Sequence, residues 1–362
     1  MRTCTRCIMN DSADPTITFD ENGYCNYCTD ALAKINTTAY FPNEEGEKRL
    51  HALLEQVKKS GEGKPYDCIM GISGGLDSAY LAYLGCTWGL RILAVHVDDG
   101  YDTDVSKENV RKLVEKAGIK MITVTPDAEQ YNALLLAYMR AGVPNLAVPQ
   151  DNILLKCLFD AVKEYKIPYF LSGDNFALEC VLQRGNTYQS MDVVNIRDIH
   201  KRFGTQPINK LKFISAYEKY YSTRVAGMHL EKPLNYIDYN RERAFRELKA
   251  FCGFEYYGRK HLENKFTAFL QLRWLPEKFG VDKRLSHLSS MIVSGQMTRE
   301  EALAEAARPI CEGVPMDEYV AEIKANMHLS DAEFEEIMRA PTHQHTEYKT
   351  DRLDAALRSV LH

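Results

Sequence analysis

Residues 73–78 read Ser-Gly-Gly-Leu-Asp-Ser and follow the apolar run 66–72. Two adjacent glycines can take backbone angles closed to other residues and let an anion reach main-chain N–H groups. A helix starting near Asp77 adds its positive end, and Ser73 and Ser78 add hydroxyls. This is the pattern of a phosphate-gripping loop, yet it lacks the lysine that a GxxxxGK[ST] loop supplies. Asp77 stands nearby instead, and a carboxylate beside phosphates makes sense where Mg²⁺ lies between them. Ser73, Gly74, Gly75, Asp77 and Ser78 are therefore the candidate pyrophosphate grip. The bland alternative is a strand-to-helix turn with a capped helix.

A second group of reactive side chains lies at the N-terminus. Cys4 and Cys7, then Cys25 and Cys28, have the CxxC…CxxC spacing of a four-thiolate zinc site. The intervening segment 17–25 holds a strand and an Asn-Gly turn that would fold the second pair back on the first. Four protein ligands leave no open position, so this zinc should be structural. Arg2, Arg6 and Lys34 could offset its charge. The other six of the ten cysteines are scattered singly, and core packing is their default reading.

Three further stretches carry charge at suggestive places. Gly173, Asp174, Asn175 and Glu179 end an apolar run at 168–174, as candidates for metal or sugar contacts. Helix capping is the plain alternative for Asn175, and a solvated face for Glu179. Arg259, Lys260, His261, Glu263 and Lys265 crowd into 258–265, suited to stabilising charge on a polyphosphate or to sugar recognition. Glu263 and His261 are also the candidates for a general base. Lys283, Arg284 and His287 form a weaker cluster, more simply read as a solvated face.

Short apolar strands at 66–72, 91–97, 120–126 and 168–174 alternate with helical patterns at 77–88, 104–117, 128–140 and 151–165. That alternation predicts an α/β fold with an open parallel sheet, helices on both faces, and ligands beyond the carboxyl ends of the strands. A helix over 44–63 precedes it. The expected division is a zinc ribbon at 1–40, an ATP-binding α/β domain at 41–184, and a substrate-binding, mainly helical region at 185–362. Capping boxes at 298–301 and 330–333 open helices there. Residues 340–350 read as a flexible connection before a last helix at 351–361.

At 362 residues, with 45% hydrophobic and 26% charged residues, the chain is ordinary for a soluble globular protein. A net charge of −5 gives no global attraction to nucleic acid. No apolar run approaches the roughly 18 residues of a membrane helix, and no signal segment opens the chain, so a cytoplasmic protein without membrane insertion is expected.

The SGGLDS segment resembles the PP-loop of the N-type ATP pyrophosphatases. That resemblance implies that ATP is cut between its α and β phosphates while AMP passes to a substrate oxygen. It also implies that Val97, at the end of the second strand, meets adenine and that Asp98 or Gly100 shapes the ribose pocket. The cysteine segment 4–28, with 232–271 and 275–303, resembles the N-acetyl sugar amidotransferases of bacterial surface-polysaccharide biosynthesis. The resemblance covers nearly the whole chain. The family often has serine where this chain has Asn264, and a residue other than aspartate at 174. What the family implies is adenylation of a sugar acetamido oxygen, then replacement by ammonia to give an acetamidino sugar. ATP, Mg²⁺ and structural Zn²⁺ would be the cofactors. A nucleotide-activated N-acetylated sugar and a glutaminase subunit would be the partners. Two rivals stand beside it: a tRNA-thiolating PP-loop enzyme, and a non-catalytic zinc-ribbon scaffold.

Overall fold

In a computed structural model, residues 1–12 and 14–351 are described. Five parallel strands form one sheet in the order β3-β2-β1-β4-β5: β1 Cys68–Gly71, β2 Ile92–Val97, β3 Lys120–Val124, β4 Tyr169–Leu171 and β5 His229–Glu231. Four of these are the expected strands, each shorter than its apolar run. Side chains alternate across the sheet as pleating requires. Cys68, Met70, Ile92 and Ala94 pack towards the helices Glu44–Ser60, Leu76–Thr87 and Asp104–Ala117. Ile69, Leu93, Val95 and Phe170 pack towards Val148–Tyr165 on the other face. Both faces are covered, so the α/β expectation holds.

Elements from beyond the expected boundary at 184 also join the sheet. β5 pairs with β4 from beyond it, with Phe170 in register with Leu230. The helix Arg241–Cys252 also covers the sheet, through Ala244 and Leu248. β5 is only three residues long and half-buried, too short to show alternation among aromatic and basic neighbours.

Four further helices build a second core. Ala128–Arg140, Val193–Phe203, Met316–Asn326 and Asp331–Arg339 enclose Trp274, Phe266 and Phe269. Trp274 donates its indole N–H to the Val143 carbonyl at 3.0 Å. Both expected capping boxes form, Thr298 with Glu301 and Ser330 with Glu333. Residues 340–350 are not a loose connection. His345 is 2% exposed and stacks on Tyr188, while the Tyr348 hydroxyl donates to the Ala141 carbonyl. Polar composition hid two ring anchors there, His345 and Tyr348. The expected helix at 351–361 lies outside the described residues apart from residue 351.

No helix among the described residues is long and apolar enough to cross a membrane.

Candidate functional site

The strand order reverses between β1 and its two neighbours, β2 and β4. Such switch points leave a crevice beyond the carboxyl ends of the strands. The segment 73–78 leaves β1 at that place. Gly74 holds φ +80, and a Cβ there would stand 2.4 Å from Ser106 Oγ, so the turn needs glycine. Gly75 caps the helix Leu76–Thr87 without a side-chain bond. Its N–H donates to Ser73 Oγ at 3.2 Å, and Ser73 Oγ lies 3.1 Å from Ser78 Oγ. The β4 exit presses on the same helix: a Cβ on Gly173 would lie 2.9 Å from the Ser78 backbone N.

The crevice is a cavity of about 480 Å³. Ser73, Gly75, Asp77 and Ser78 line one side, and Val97 and Asp99 the β2 end. Lys260, His261 and Glu263 line a wall supplied from far along the chain. Lys260 Nζ bridges two carboxylates, Asp77 Oδ2 at 2.6 Å and Glu179 Oε1 at 2.9 Å. The Tyr239 hydroxyl donates to Asp77 Oδ1. Burial raises the Asp77 carboxyl pKa, but Lys260 and Tyr239 outweigh it and hold the group ionised below its ordinary range. Burial opposes the charge on Lys260, and Asp77 and Glu179 reverse this, raising its pKa. His261, at φ +65, stands 3.8 Å from Glu179 and 3.9 Å from Glu263. Glu263 Oε2 is buried without a hydrogen-bond partner, and Oε1 sits where a Cβ on Gly75 would approach to 2.7 Å.

Asp77, the expected Mg²⁺ ligand, is engaged by Tyr239 and Lys260 in this structure. Both of its oxygens are taken, one by a hydroxyl and the other by an ammonium. Lys260 carries the positive charge that the loop itself lacks.

Several other sequence candidates fall outside the cavity wall. Asp98 accepts the Gly100 N–H at 3.1 Å and shapes its own turn, whereas Asp99 faces the cavity. Asp99 is held by Gln150 at 2.6 Å and by Tyr131 and Asn264 at 3.0 Å, and burial raises its pKa. Asn175 is buried and caps its helix by accepting from Leu178 N–H at 2.9 Å. Lys265 pairs with Glu322 at 2.6 Å, and Arg259 donates to the Ile310 carbonyl at 2.6 Å. Arg284 folds onto Asp282 at 2.7 Å. Asp174 reaches the rim, paired with Lys232 at 3.2 Å. Tyr239, Tyr257, Asp99 and Asn264 were missed. Tyr257 accepts the Leu76 N–H at 2.9 Å through its hydroxyl, a role that an aromatic-rich stretch does not advertise.

The four cysteines converge as their spacing predicts. All are buried, with their sulfurs within 4.8 Å of one another. Cys4 and Cys28 sulfurs are 3.7 Å apart, and Cys7 and Cys25 3.5 Å. Tetrahedral Zn–S bonds of about 2.3 Å require roughly 3.8 Å between sulfurs, so the set fits zinc. Backbone N–H groups of Cys7 and Cys25 donate to Cys4 Sγ, and Arg6 points a guanidinium N–H at Cys28 Sγ. Arg2 stacks on Phe19 instead. Arg299 donates to the carbonyls of Cys4 and Cys7 at 3.1 Å, tying the ribbon to the C-terminal helices.

Comparison with known proteins adds a family to this geometry. Residues 263–360 match the profile "LPS biosynthesis protein WbpG-like, C-terminal domain". No curated protein gives a significant match. Among solved structures, the NMN synthetase from Francisella tularensis aligns at 12% identity and TM-score 0.30, over 60% of this chain and 99% of that one. The NH3-dependent NAD synthetase from Campylobacter jejuni aligns at 16% identity and TM-score 0.31, over 70% and 97%. Scores this low add nothing to what the sheet and loop show themselves. The matched segment opens on Glu263 and includes Asn264, Thr267, Gln271 and Lys283 of the cavity wall. The C-terminal part of the chain is thus similar to the WbpG-like domains of lipopolysaccharide biosynthesis, which bears out the resemblance carried by the sequence.

Proposed function

We propose that the protein is an ATP-dependent amidotransferase of surface-glycan biosynthesis, acting in the cytoplasm on a nucleotide-activated N-acetylated sugar. The observation that carries this reading is the meeting of a phosphate loop and a WbpG-like wall in one cavity, with Lys260 bridging Asp77 and Glu179 between them.

In the first step the acetamido oxygen attacks the α-phosphorus of ATP. The bond from that phosphorus to the α–β bridging oxygen breaks, and pyrophosphate leaves into the grip of Ser73, Gly75 and the helix start at Leu76. Lys260 supplies fixed positive charge there, a stabilisation that costs no reorganisation during reaction. Ammonia then attacks the imidate carbon, the carbon–oxygen bond breaks, and AMP departs. The attacking nitrogen must lose one proton as AMP departs to leave the amidinium, and Glu263, with an unpartnered buried oxygen, is the group placed to accept it. ATP, acetamide and ammonia thereby become AMP, pyrophosphate and acetamidine. A glutaminase subunit would deliver the ammonia. Zinc would hold the ribbon and take no part in the chemistry. Magnesium would arrive with the nucleotide.

Sulfur insertion into tRNA is the poorer reading. It calls for a reactive thiol, and among the described residues no cysteine lines the cavity. Burial pushes Cys157 up to about 11 and Cys180 up to about 12, away from thiolate.

The test is AMP and pyrophosphate release by purified protein given ATP, ammonium and a panel of N-acetylated nucleotide sugars. Sugar-dependent AMP formation with an amidine product is expected. AMP release that follows tRNA, or none with any sugar, overturns the proposal.

A further inference from the structure

Glu179, Asn186 and Thr187 line the cavity from one segment, 179–188, which follows β4. In the sheet, β2 and β4 flank β1 on opposite sides. The segment therefore faces the phosphate loop from the side opposite the Val97 end. Its own regular structure is a single turn of 3-10 helix, Arg184–Asn186. A wall that must recognise a substrate needs its backbone and rotamers fixed by neighbours.

The ribbon supplies that fixing. The Tyr27 hydroxyl accepts the Arg184 N–H at 2.9 Å and donates to Asp14 Oδ2. The Arg184 guanidinium pairs with Asp30 at 2.8 Å and lies over the Tyr27 ring. A Cβ on Gly185 would stand 2.9 Å from Asp14 Oδ1 and 3.2 Å from Pro15, so the turn and the ribbon meet at backbone distance. Asp14 is buried and accepts the Thr16 N–H and hydroxyl, which makes this docking surface itself rigid. Val181 packs into the same apolar cluster as the four cysteines. These contacts fall between Glu179 and Asn186, the residues that reach the cavity. Tyr27, Asp14 and Asp30 stand outside the cavity wall and act on it through the segment.

We infer that the ribbon is the template for the acceptor side of the cavity, with Tyr27 the positioning residue that sets Asn186 and Thr187 against the N-acetylated sugar. This rests on the acceptor class proposed above and adds the wall that recognises it. Damage to this face of the ribbon should reach the sugar and spare the nucleotide.

Tyr27→Phe removes the acceptor of the Arg184 N–H and keeps the ring beneath the guanidinium. The sugar probe is the most active of UDP-N-acetylglucosamine, UDP-N-acetylgalactosamine and CMP-N-acetylneuraminate. In zinc-loaded protein its KM should rise about tenfold, with kcat and the KM for ATP within about twofold of wild type, as for lost uniform binding of one substrate. Without substrate, hydrogen exchange should quicken across 182–188 and stay unchanged across 73–78. Gly185→Ala wedges the segment off the ribbon independently, should give the same pattern, and covers a Tyr27→Phe that fails to fold. Thr5→Val removes a different ribbon bond, from Thr5 Oγ1 to the Asn22 carbonyl at 2.8 Å, and should leave the sugar KM unchanged. A Thr5→Val effect as large as that of Tyr27→Phe, or an equal rise in the KM for ATP, makes the ribbon a general stabiliser and overturns the inference. Unchanged sugar KM and exchange in both wall variants overturn it too. Quickened exchange in a protein whose wild type forms no AMP with any of the three sugars supports the ribbon's hold on the segment and overturns the acceptor assigned to it.

Discussion

The ribbon and the cavity both gather groups that are costly to hold away from water, and they settle that cost differently. In the ribbon every sulfur faces the other three, and backbone N–H groups close the arrangement from outside. In the cavity, Glu263 keeps one oxygen unbonded, and Lys260 is shared by two carboxylates. Closed sets make structure, while open ones wait for a ligand. The two are joined mechanically: Arg299 holds the Cys4 and Cys7 carbonyls, and Ser289 Oγ accepts the Ile8 N–H at 3.3 Å. The segments carrying Ser289 and Arg299 belong to the WbpG-like part that also supplies Lys283.

The harshest test of the closed set is metal removal. Structural zinc contributes apparent free energies of about 10–16 kcal/mol in finger peptides. A Cys4→Ser/Cys25→Ser double variant should purify without zinc and melt well below wild type. The change should spread to the helix Arg284–Val293 through its packing on the ribbon. Metal analysis and calorimetry read both. A zinc-free variant with an unchanged melt would show that the thiols are core filler.

For the open set the largest effect is expected at Lys260. Lys260→Met strips the counter-ion from Asp77 and Glu179, which are 18% and 27% exposed at the side chain. Losing one partner of a buried pair costs about 3–5 kcal/mol. Losing a preorganised charge costs about 10²–10³ in rate. Adding Glu179→Gln should return part of the stability in urea unfolding and none of the AMP formation. Full activity in Lys260→Met would leave the cavity without its cation at the loop. A smaller loss is expected from Gly74→Ala, which forces a Cβ against Ser106 at φ +80. Strain of that kind costs about 1–3 kcal/mol, and it should appear as roughly tenfold or more in pyrophosphate affinity with zinc content unchanged.

The contrast also explains what could be read from sequence. The four thiols and SGGLDS are local patterns whose spacing fixes their geometry, and both assemble where the spacing puts them. Asp77, Lys260 and Tyr239 meet across more than 160 residues, and periodicity carries no record of such a meeting. Lys260 was picked out because charge crowds into 258–265, but the same reasoning picked Lys265 and Arg259, which turn away to Glu322 and Ile310. At the β2 end the resemblance implies Asp98 or Gly100 for the ribose, while the cavity wall carries Asp99. Both aspartates accept the N–H two residues on, and only Asp99 also lines the cavity. Gly74, Gly75 and Gly173 were legible because glycine is the residue that close backbone approach demands.

A weaker effect ties the phosphate loop to pH. His96 is buried on β2, with Nδ1 2.8 Å from the Ile72 carbonyl and Nε2 3.2 Å from Asp102. Ile72 directly precedes Ser73, so this imidazole braces the root of the loop. Burial disfavours its protonation, but Asp102 and the Ile72 carbonyl reverse that, and the net pKa is raised. A histidine whose pKa is higher folded than unfolded contributes stability fully below about 6.5, its unfolded value, and loses it as pH rises through the folded value. The stability gap between wild type and His96→Gln should therefore be widest at acidic pH and close as pH climbs, with pyrophosphate affinity following the same trend. Urea unfolding at a series of pH values measures the first, and calorimetry the second. A gap that stays constant with pH would make His96 a neutral brace, as closed to its surroundings as the ribbon. A gap that narrows puts a titrating group directly beneath the open site.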